Sequence, residues 1–163
     1  FDMDSIGLRY FNVFGRRQDP DGAYAAVIPK FIKKLINHES PVINGDGSYS
    51  RDFTYIDNVI QMNVKAILID DKKALNQIYN TACGYQTNLN QLVNLLIELL
   101  SDYDEKIKLI KPIHGKIRHG DIPHSIASIK KAKLLLKYNP THNLKDGLKK
   151  SISWYYDNLK IHE

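Results

Sequence analysis

The chain has 163 residues, of which 43% are hydrophobic and 25% charged, values of one folded domain with a core of its own and not of a disordered or fibrous segment. No apolar run approaches the roughly 18 residues needed to span a bilayer, and the start resembles neither a secretory signal nor a processing segment. A net charge of +5 and a pI near 9.1 admit an anionic partner, but lysines pair only at Lys33-Lys34, Lys72-Lys73, Lys130-Lys131 and Lys149-Lys150, and no nucleic-acid-reading motif is present. The charge therefore reads either as solvated helix faces or as a field that draws in a nucleoside diphosphate. The single cysteine, Cys83, cannot form an internal disulfide and suits a reducing cytoplasm, where it reads as a small buried apolar residue. The opening Phe1-Asp2-Met3-Asp4 has no initiator Met, so the chain is expected to begin mid-protein.

In chain order, Ile6 to Val13 is short, β-branched and aromatic and reads as a buried strand closed by Gly15. Arg16 to Tyr24, with Pro and Gly, is expected to be irregular. Ala25 to Asn37 places Val27, Ile28, Phe31, Ile32, Leu35 and Ile36 at helical spacing, with Pro29 tolerable in the first turn. Pro41 to Ile43 reads as a short strand, Asn44 to Ser48 as a turn and Tyr49 to Thr54 as extended. Asp57 is expected to cap a helix through Ile69. Gln77 to Ala82 reads as another buried strand, expected to lie parallel beside the first, and Asn88 or Asn90 as the cap of an apolar helix ending near Leu100. The alternation in Lys106 to Lys111 predicts a half-exposed strand, Ser128 a cap for a short helix over Ala132 to Leu136, and Leu144 to Leu159 a closing helix with Leu148, Ile152 and Tyr155 or Tyr156 on one face. Strands alternating with helices give α/β character, with too few parallel strands for a complete doubly wound sheet.

Three stretches carry chemistry. Asn12 ends the opening strand, where ligands collect in open α/β sheets; its amide can donate to and accept from a phosphate or sugar, or satisfy a local turn. In Gly45 to Asp52 a glycine turn leads into Arg51-Asp52. The planar guanidinium fork matches phosphate oxygens, and Asp52 is expected to hold it in place; the alternative is a surface ion pair. Arg118-His119-Gly120-Asp121 offers a second arginine for a diphosphate clamp, or a solvated loop. The six histidines show no metal-ligand spacing, no metal is assigned, and no Ser-His-Asp pattern is convincing.

In this order these stretches resemble the extended short-chain dehydrogenase/reductase family of nucleotide-sugar enzymes. The likeness rests on GLRYFNVFG at Gly7 to Gly15, INGDGSYSRDFTYIDN at Ile43 to Asn58, RHGDIPHSIASIKKAKLLL at Arg118 to Leu136 and NLKDGLKKSISWYY at Asn143 to Tyr156. RQDPDGAYAAVIPKFI at Arg17 to Ile32 is most similar to bacterial UDP-N-acetylglucosamine 4-epimerases. The resemblance implies the C-terminal part of a Rossmann-type fold: the last parallel strands plus a small, mostly helical substrate-binding domain. Residues 1–163 would be the nucleotide-sugar-binding portion, residues 1–15 and about 77–84 would give strands to an incomplete Rossmann sheet, and the N-terminal NAD-binding half would be absent.

The resemblance also implies roles. Asn12 would contact the diphosphate. Ala26, Val27 and Lys30 would line the uridine pocket at a helix N-terminus that favours phosphate. The short strand from Val42 to Asn44 would offer backbone groups to the uracil ring. Arg51 and Arg118 would grip the phosphates, and Asn88 and Asp121 would complete the nucleotide contacts, Asp121 on ribose hydroxyls or holding Arg118. Tyr10, Phe11 and Val13 would sit near the nicotinamide. Ser128 departs from the Asp of many relatives. Intact members are usually homodimers that act on a UDP-hexose or UDP-N-acetylhexosamine, with no nucleic-acid or membrane partner, in polysaccharide or lipopolysaccharide precursor synthesis. They transiently oxidise carbon 4 with tightly held NAD, rotate the keto sugar and return the hydride to the other face.

Neither the Gly-x-x-Gly-x-x-Gly turn that cradles NAD nor a catalytic Tyr-x-x-x-Lys in suitable context is present. Tyr156 and Lys160 have the spacing but belong to the closing helix. No catalytic residue is therefore assigned, the chain alone is expected to be inactive, and it is not expected to hold NAD by itself. A 4,6-dehydratase, decarboxylase or reductase of the same family, and a stand-alone UDP-sugar-binding module, are the alternatives.

Overall fold

The computed structural model describes residues 3–22 and 25–159. The opening strand is shorter than its pattern suggests: β1 spans Ile6–Tyr10 and β2 Val13–Phe14. Between them Asn12 takes a left-handed conformation, φ 35°, which asparagine tolerates better than most side chains. That break changes partners. Before it, β1 pairs in parallel with β6 (Gln77–Thr81), in register from Ile6 opposite Gln77 to Tyr10 opposite Thr81. After it, the Asn12 carbonyl accepts the Thr54 N–H (3.2 Å) and β2 runs parallel to β5 (Thr54–Tyr55). Two further pairs complete the strands: β3 (Val42–Asn44) runs parallel to β8 (Ile113–Gly115), and β4 (Ser50–Arg51) antiparallel to β7 (Thr87–Asn88).

The helices are α1 (Val27–Ile36), α2 (Ile56–Leu68), α3 (Leu89–Ser101), α4 (Lys130–Leu135) and α5 (Leu144–Leu159). The apolar faces of α1, α3 and α5 meet in one core that includes Phe14, Ile32, Leu35, Leu96, Leu148, Ile152 and Tyr155. A second core lies against β6 and joins Met62 of α2 to Tyr79, Ala132 of α4, Leu136 and Tyr138. The helix α5 approaches β2 and β5 so closely that a Cβ at Gly147 would lie 2.7 Å from the Phe14 and Tyr55 side chains. The Tyr155 hydroxyl, beyond it on the same helix, donates to the Gly15 carbonyl (2.8 Å).

Several expectations change in detail. Lys106 to Lys111 is not a strand: Asp104 accepts the Lys106 N–H (3.0 Å) and starts a 3-10 turn over Glu105–Leu109. Only Ile107 of that turn reaches the core, Leu109 is exposed, and the strand lies beyond it at β8. Tyr55 occupies the cap position of α2, and Asp57 falls in its first turn. Ser128 does not cap α4, which follows Ile129; the Ser128 carbonyl instead accepts the Asn80 side-chain amide (3.1 Å). Tyr155, not Tyr156, is the buried aromatic of α5. Tyr24 of the expected loop and Lys160 lie outside the described residues.

Candidate functional site

A cavity of about 330 Å³ opens where the break after β1, the start of α1, β3, β4 and the segment before α4 converge. That is within the size range of small-ligand sites. Each wall follows from its local chain. The Asn12 side chain, exposed at the left-handed break, donates to the Asp52 carbonyl (3.2 Å) and keeps its own oxygen available. Ala26 caps α1 with its backbone only, so the first-turn N–H groups of Val27 and Ile28 have no side-chain cap and point out of the helix end beside the cavity. Pro29 costs nothing there, because its missing N–H would have had no helical partner. Lys30 follows one turn on, in the same lining. In β3, Ile43 is fully buried while Val42 and Asn44, on the other face of the strand, line the cavity.

The same alternation brings Tyr49 and Arg51 to the cavity while Ser50 turns inward. Arg51 is only partly exposed. Its Nη1 donates to the carbonyls of Ser50 (2.9 Å) and Pro123 (3.3 Å), and its Nη2 lies 4.0 Å from Asp121 Oδ1. Arg118 and Asp121 complete the lining, linked by the Asp121 N–H to the Arg118 carbonyl (3.2 Å). The Asp121 carboxylate thus faces Arg51. Lys30, Arg51 and Arg118, with an uncapped helix start, set a positive field against one carboxylate, an arrangement suited to an anionic ligand that also carries hydroxyls.

Asp52 does not hold Arg51. It is fully buried and turns to the opposite side, where its carboxylate accepts the N–H groups of Cys83 (3.0 Å) and Gly84 (2.9 Å) and, longer, of Ala127 (3.4 Å). Burial pushes its carboxyl above the ordinary range, and the backbone donors oppose that shift. Asn88 is likewise engaged elsewhere: it accepts the Gln91 N–H (2.8 Å) while Gln91 Oε1 accepts the Asn88 N–H (3.0 Å), a reciprocal cap at the start of α3. Its neighbour Leu89 lines the cavity.

Of the residues expected near a nicotinamide, Val13 lines the cavity, the Tyr10 hydroxyl donates to Asn63 Oδ1 on α2 (3.0 Å), and Phe11 packs on the second core. Only Val13 of the three is at the cavity, so the described residues do not by themselves form a dinucleotide cradle. The sequence did not single out Phe14, Ala25, Ile28, Phe31, Tyr49, Phe53 or Leu89, which also line the cavity. Two of these were legible: Phe31 lies one turn beyond Val27 on the same helix face, and Tyr49 two residues before Arg51 on the same strand face.

Paired parallel strands flanked by helices, with an anion-suited cavity beyond the carboxyl end of β1, define a ligand-binding module of the Rossmann-type α/β class. The chain belongs to the NAD dependent epimerase/dehydratase family, whose model matches residues 1–82. It is 36% identical over 151 residues to a putative UDP-glucose 4-epimerase of Methanocaldococcus jannaschii, an alignment covering 93% of this chain and 45% of that protein. Among solved structures it is similar to the UDP-glucose 4-epimerase of Thermotoga maritima with UDP-glucose, with a TM-score of 0.85, 35% identity, and coverage of 96% of this chain and 47% of that one. It is also similar to the UDP-N-acetylglucosamine 4-epimerase of Methanobrevibacter ruminantium in complex with UDP-N-acetylmuramic acid, with a TM-score of 0.83, 36% identity, and coverage of 95% and 47%. The chain thus spans about half the length of the relatives it matches. No helix among the described residues is long and apolar enough to cross a membrane.

Proposed function

We propose that the cavity holds the nucleoside diphosphate of a UDP-sugar, and that the chain is the nucleotide-sugar-binding portion of a UDP-N-acetylglucosamine 4-epimerase. The observation that carries this reading is the convergence of Lys30, Arg51 and Arg118 with the start of α1 on one cavity whose apolar walls are Phe31, Val42 and Leu89. The cationic groups suit two phosphates, the apolar walls a base, and Asp121 the hydroxyls of a ribose. The Arg17 to Ile32 stretch and the similarity to an N-acetylglucosamine epimerase favour an N-acetylhexosamine. In this reading the residues present here bind and orient the nucleotide, and NAD held by an intact enzyme would supply the hydride chemistry at carbon 4 of the sugar. β1 and β6 are then strands of a larger Rossmann sheet, and the free thiol of Cys83 fits a cytoplasmic setting.

Arg51→Lys tests the reading. A lysine keeps the charge but not the fork that spans Pro123, Ser50 and a phosphate, and a charge-assisted hydrogen bond is worth about 1.5–3 kcal/mol. Calorimetric titration is expected to show UDP binding weakened roughly ten- to hundredfold, with uridine little affected. Equal UDP dissociation constants for the two proteins would remove Arg51 from the site. In a coupled assay with UDP-N-acetylglucosamine and NAD, this chain alone is expected to stay at background. Turnover above a no-protein control would mean that its own residues supply the base.

A further inference from the structure

Arg118 and Asp121 reach the cavity from a segment that is secured at its two ends and little in between. Upstream, β8 ends at Gly115, whose carbonyl accepts the Gly45 N–H (3.1 Å). From Lys116 to Ile122 the chain is exposed apart from the half-buried Asp121, with Ile117 65% and Ile122 64% accessible, and its backbone bond, Asp121 to Arg118, is internal. Downstream, the first backbone ties are made at Ser50, and the next, from the Ala127 N–H to the Asp52 carboxylate (3.4 Å), comes only beyond them. The Ser50 N–H donates to the Pro123 carbonyl (2.9 Å), its carbonyl accepts the Ser125 N–H (3.0 Å), and the two chains run parallel through a bridge of Ser50 with His124. The segment thereby lies beside β4 through a single-residue parallel bridge, on the side away from β7.

Two backbone bonds to one residue leave the segment able to pivot about that residue. A third contact removes the pivot. The Ser50 side chain, 6% exposed, places Oγ 2.9 Å from Nδ1 of His124. A hydroxyl both donates and accepts, so this bond persists whether Nδ1 is bare or protonated. Arg51 feels the same geometry, because its Nη1 rests on the Ser50 and Pro123 carbonyls at the ends of that bridge.

We propose that Ser50 and His124 are positioning residues: their bond fixes the segment carrying Arg118 and Asp121, and with it the orientation of Arg51, so that the phosphate-binding groups are set before a ligand arrives. The proposal deepens the UDP-sugar reading of the cavity and rests on it. Neither side chain lines the cavity, so their effect on a ligand is indirect. A diphosphate is expected to depend on the bond, and a bare nucleoside much less.

The test uses His124→Phe, which removes the nitrogen, and His124→Asn, whose side-chain oxygen can accept the Ser50 hydroxyl at a similar place. Ser50→Ala and the double variant Ser50→Ala/His124→Phe complete the set. The ligand-free arm is limited trypsin digestion, with the rate of cleavage after Arg118 followed by mass spectrometry. The ligand arm is calorimetry with UDP and with uridine, at unchanged circular dichroism and melting temperature. Faster cleavage after Arg118 in His124→Phe and Ser50→Ala is expected, with UDP binding weakened about three- to tenfold and uridine unaffected. The double variant should be no worse than either single one, and His124→Asn should restore both readouts. Wild-type cleavage rates in His124→Phe and Ser50→Ala would overturn the proposal. So would faster cleavage with unchanged UDP affinity, since the segment would then be held but irrelevant to the ligand. Failure of the wild-type protein to bind UDP would instead sink the nucleotide reading, and the cleavage rates alone would then decide whether the bond secures the segment.

Discussion

Around α1, α3 and α5 the apolar faces close on one another, whereas around α2, β1 and β6 a part of them stays open. In the first region Ile32, Leu35, Leu92, Leu96 and Leu148 are fully buried. In the second, Met62 and Tyr79 are buried, yet Ile60, Val64, Ile67 and Leu68 form a stripe along α2 that is 47–79% exposed. Tyr10 lies beside that stripe, half exposed and bonded to Asn63, and β1 pairs with β6 along one edge. The comparison separates two duties. The cavity leans on the closed core, through α1, β4 and the start of α3, so its walls do not depend on what covers the open face. Asp52 ties the regions together: it follows Arg51 in the chain and accepts the N–H groups of Cys83 and Gly84 at the end of β6.

The sharpest way to break this comparison is to remove the same amount of hydrocarbon from each side. Leu96→Ala in the closed core should cost about 2–5 kcal/mol, through lost burial plus a residual cavity. Ile67→Ala on the open stripe, 79% exposed, should stay within about 0.5 kcal/mol. Urea unfolding of the two variants measures both, and comparable losses would show that the stripe is covered in solution.

A smaller effect probes the junction. Burial, helped by the neighbouring Asp52 carboxylate, raises the Cys83 thiol from 9.0 to about 11. Its thiolate fraction near pH 8 is then roughly a hundredfold below that of an unperturbed thiol, and iodoacetamide should label it at least that much more slowly than free cysteine. The sign for stability follows from the same shift. Both states keep the proton below pH 9, so nothing is lost there; between about 9 and 11 the unfolded thiol ionises while the folded one does not, and stability falls with rising pH. Cys83→Ala should flatten that decline in melting curves taken at pH 8 and pH 10.5.

The smallest effect concerns association. An open strand edge beside an apolar stripe favours self-association. Light scattering is expected to show mass rising with concentration, and Ile67→Ser should lessen the rise without altering the fold. A monomer at every concentration would count against an uncovered face.

Local patterns determined much of this molecule. The 3.6-residue spacing from Val27 to Ile36 and along α3 and α5, the short stretches of Ile, Leu and Tyr at β1 and of Ile and Tyr at β6, and the reciprocal cap of Asn88 with Gln91 all act over a few residues, so they are written in the chain. The chemistry of Asn12, Arg51, Arg118 and Asp121 was equally visible, because guanidinium, amide and carboxylate groups declare what they can bind. What each group faces was not. Asp52 and Arg51 are adjacent in sequence but point to opposite sides of an extended strand, so the apparent ion pair does not form; Asp121, 70 positions away, takes its place at 4.0 Å. The alternation at Lys106 to Lys111 favoured a strand, but a cap at Asp104 and a single burial site for Ile107 made a tight turn more favourable. The left-handed turn at Asn12, which passes the chain from β6 to β5 and aims the amide at the cavity, exists only because both partners are there to receive the backbone. Long-range pairing decided these features, since each rests on hydrogen bonds between residues that only the folded chain brings together.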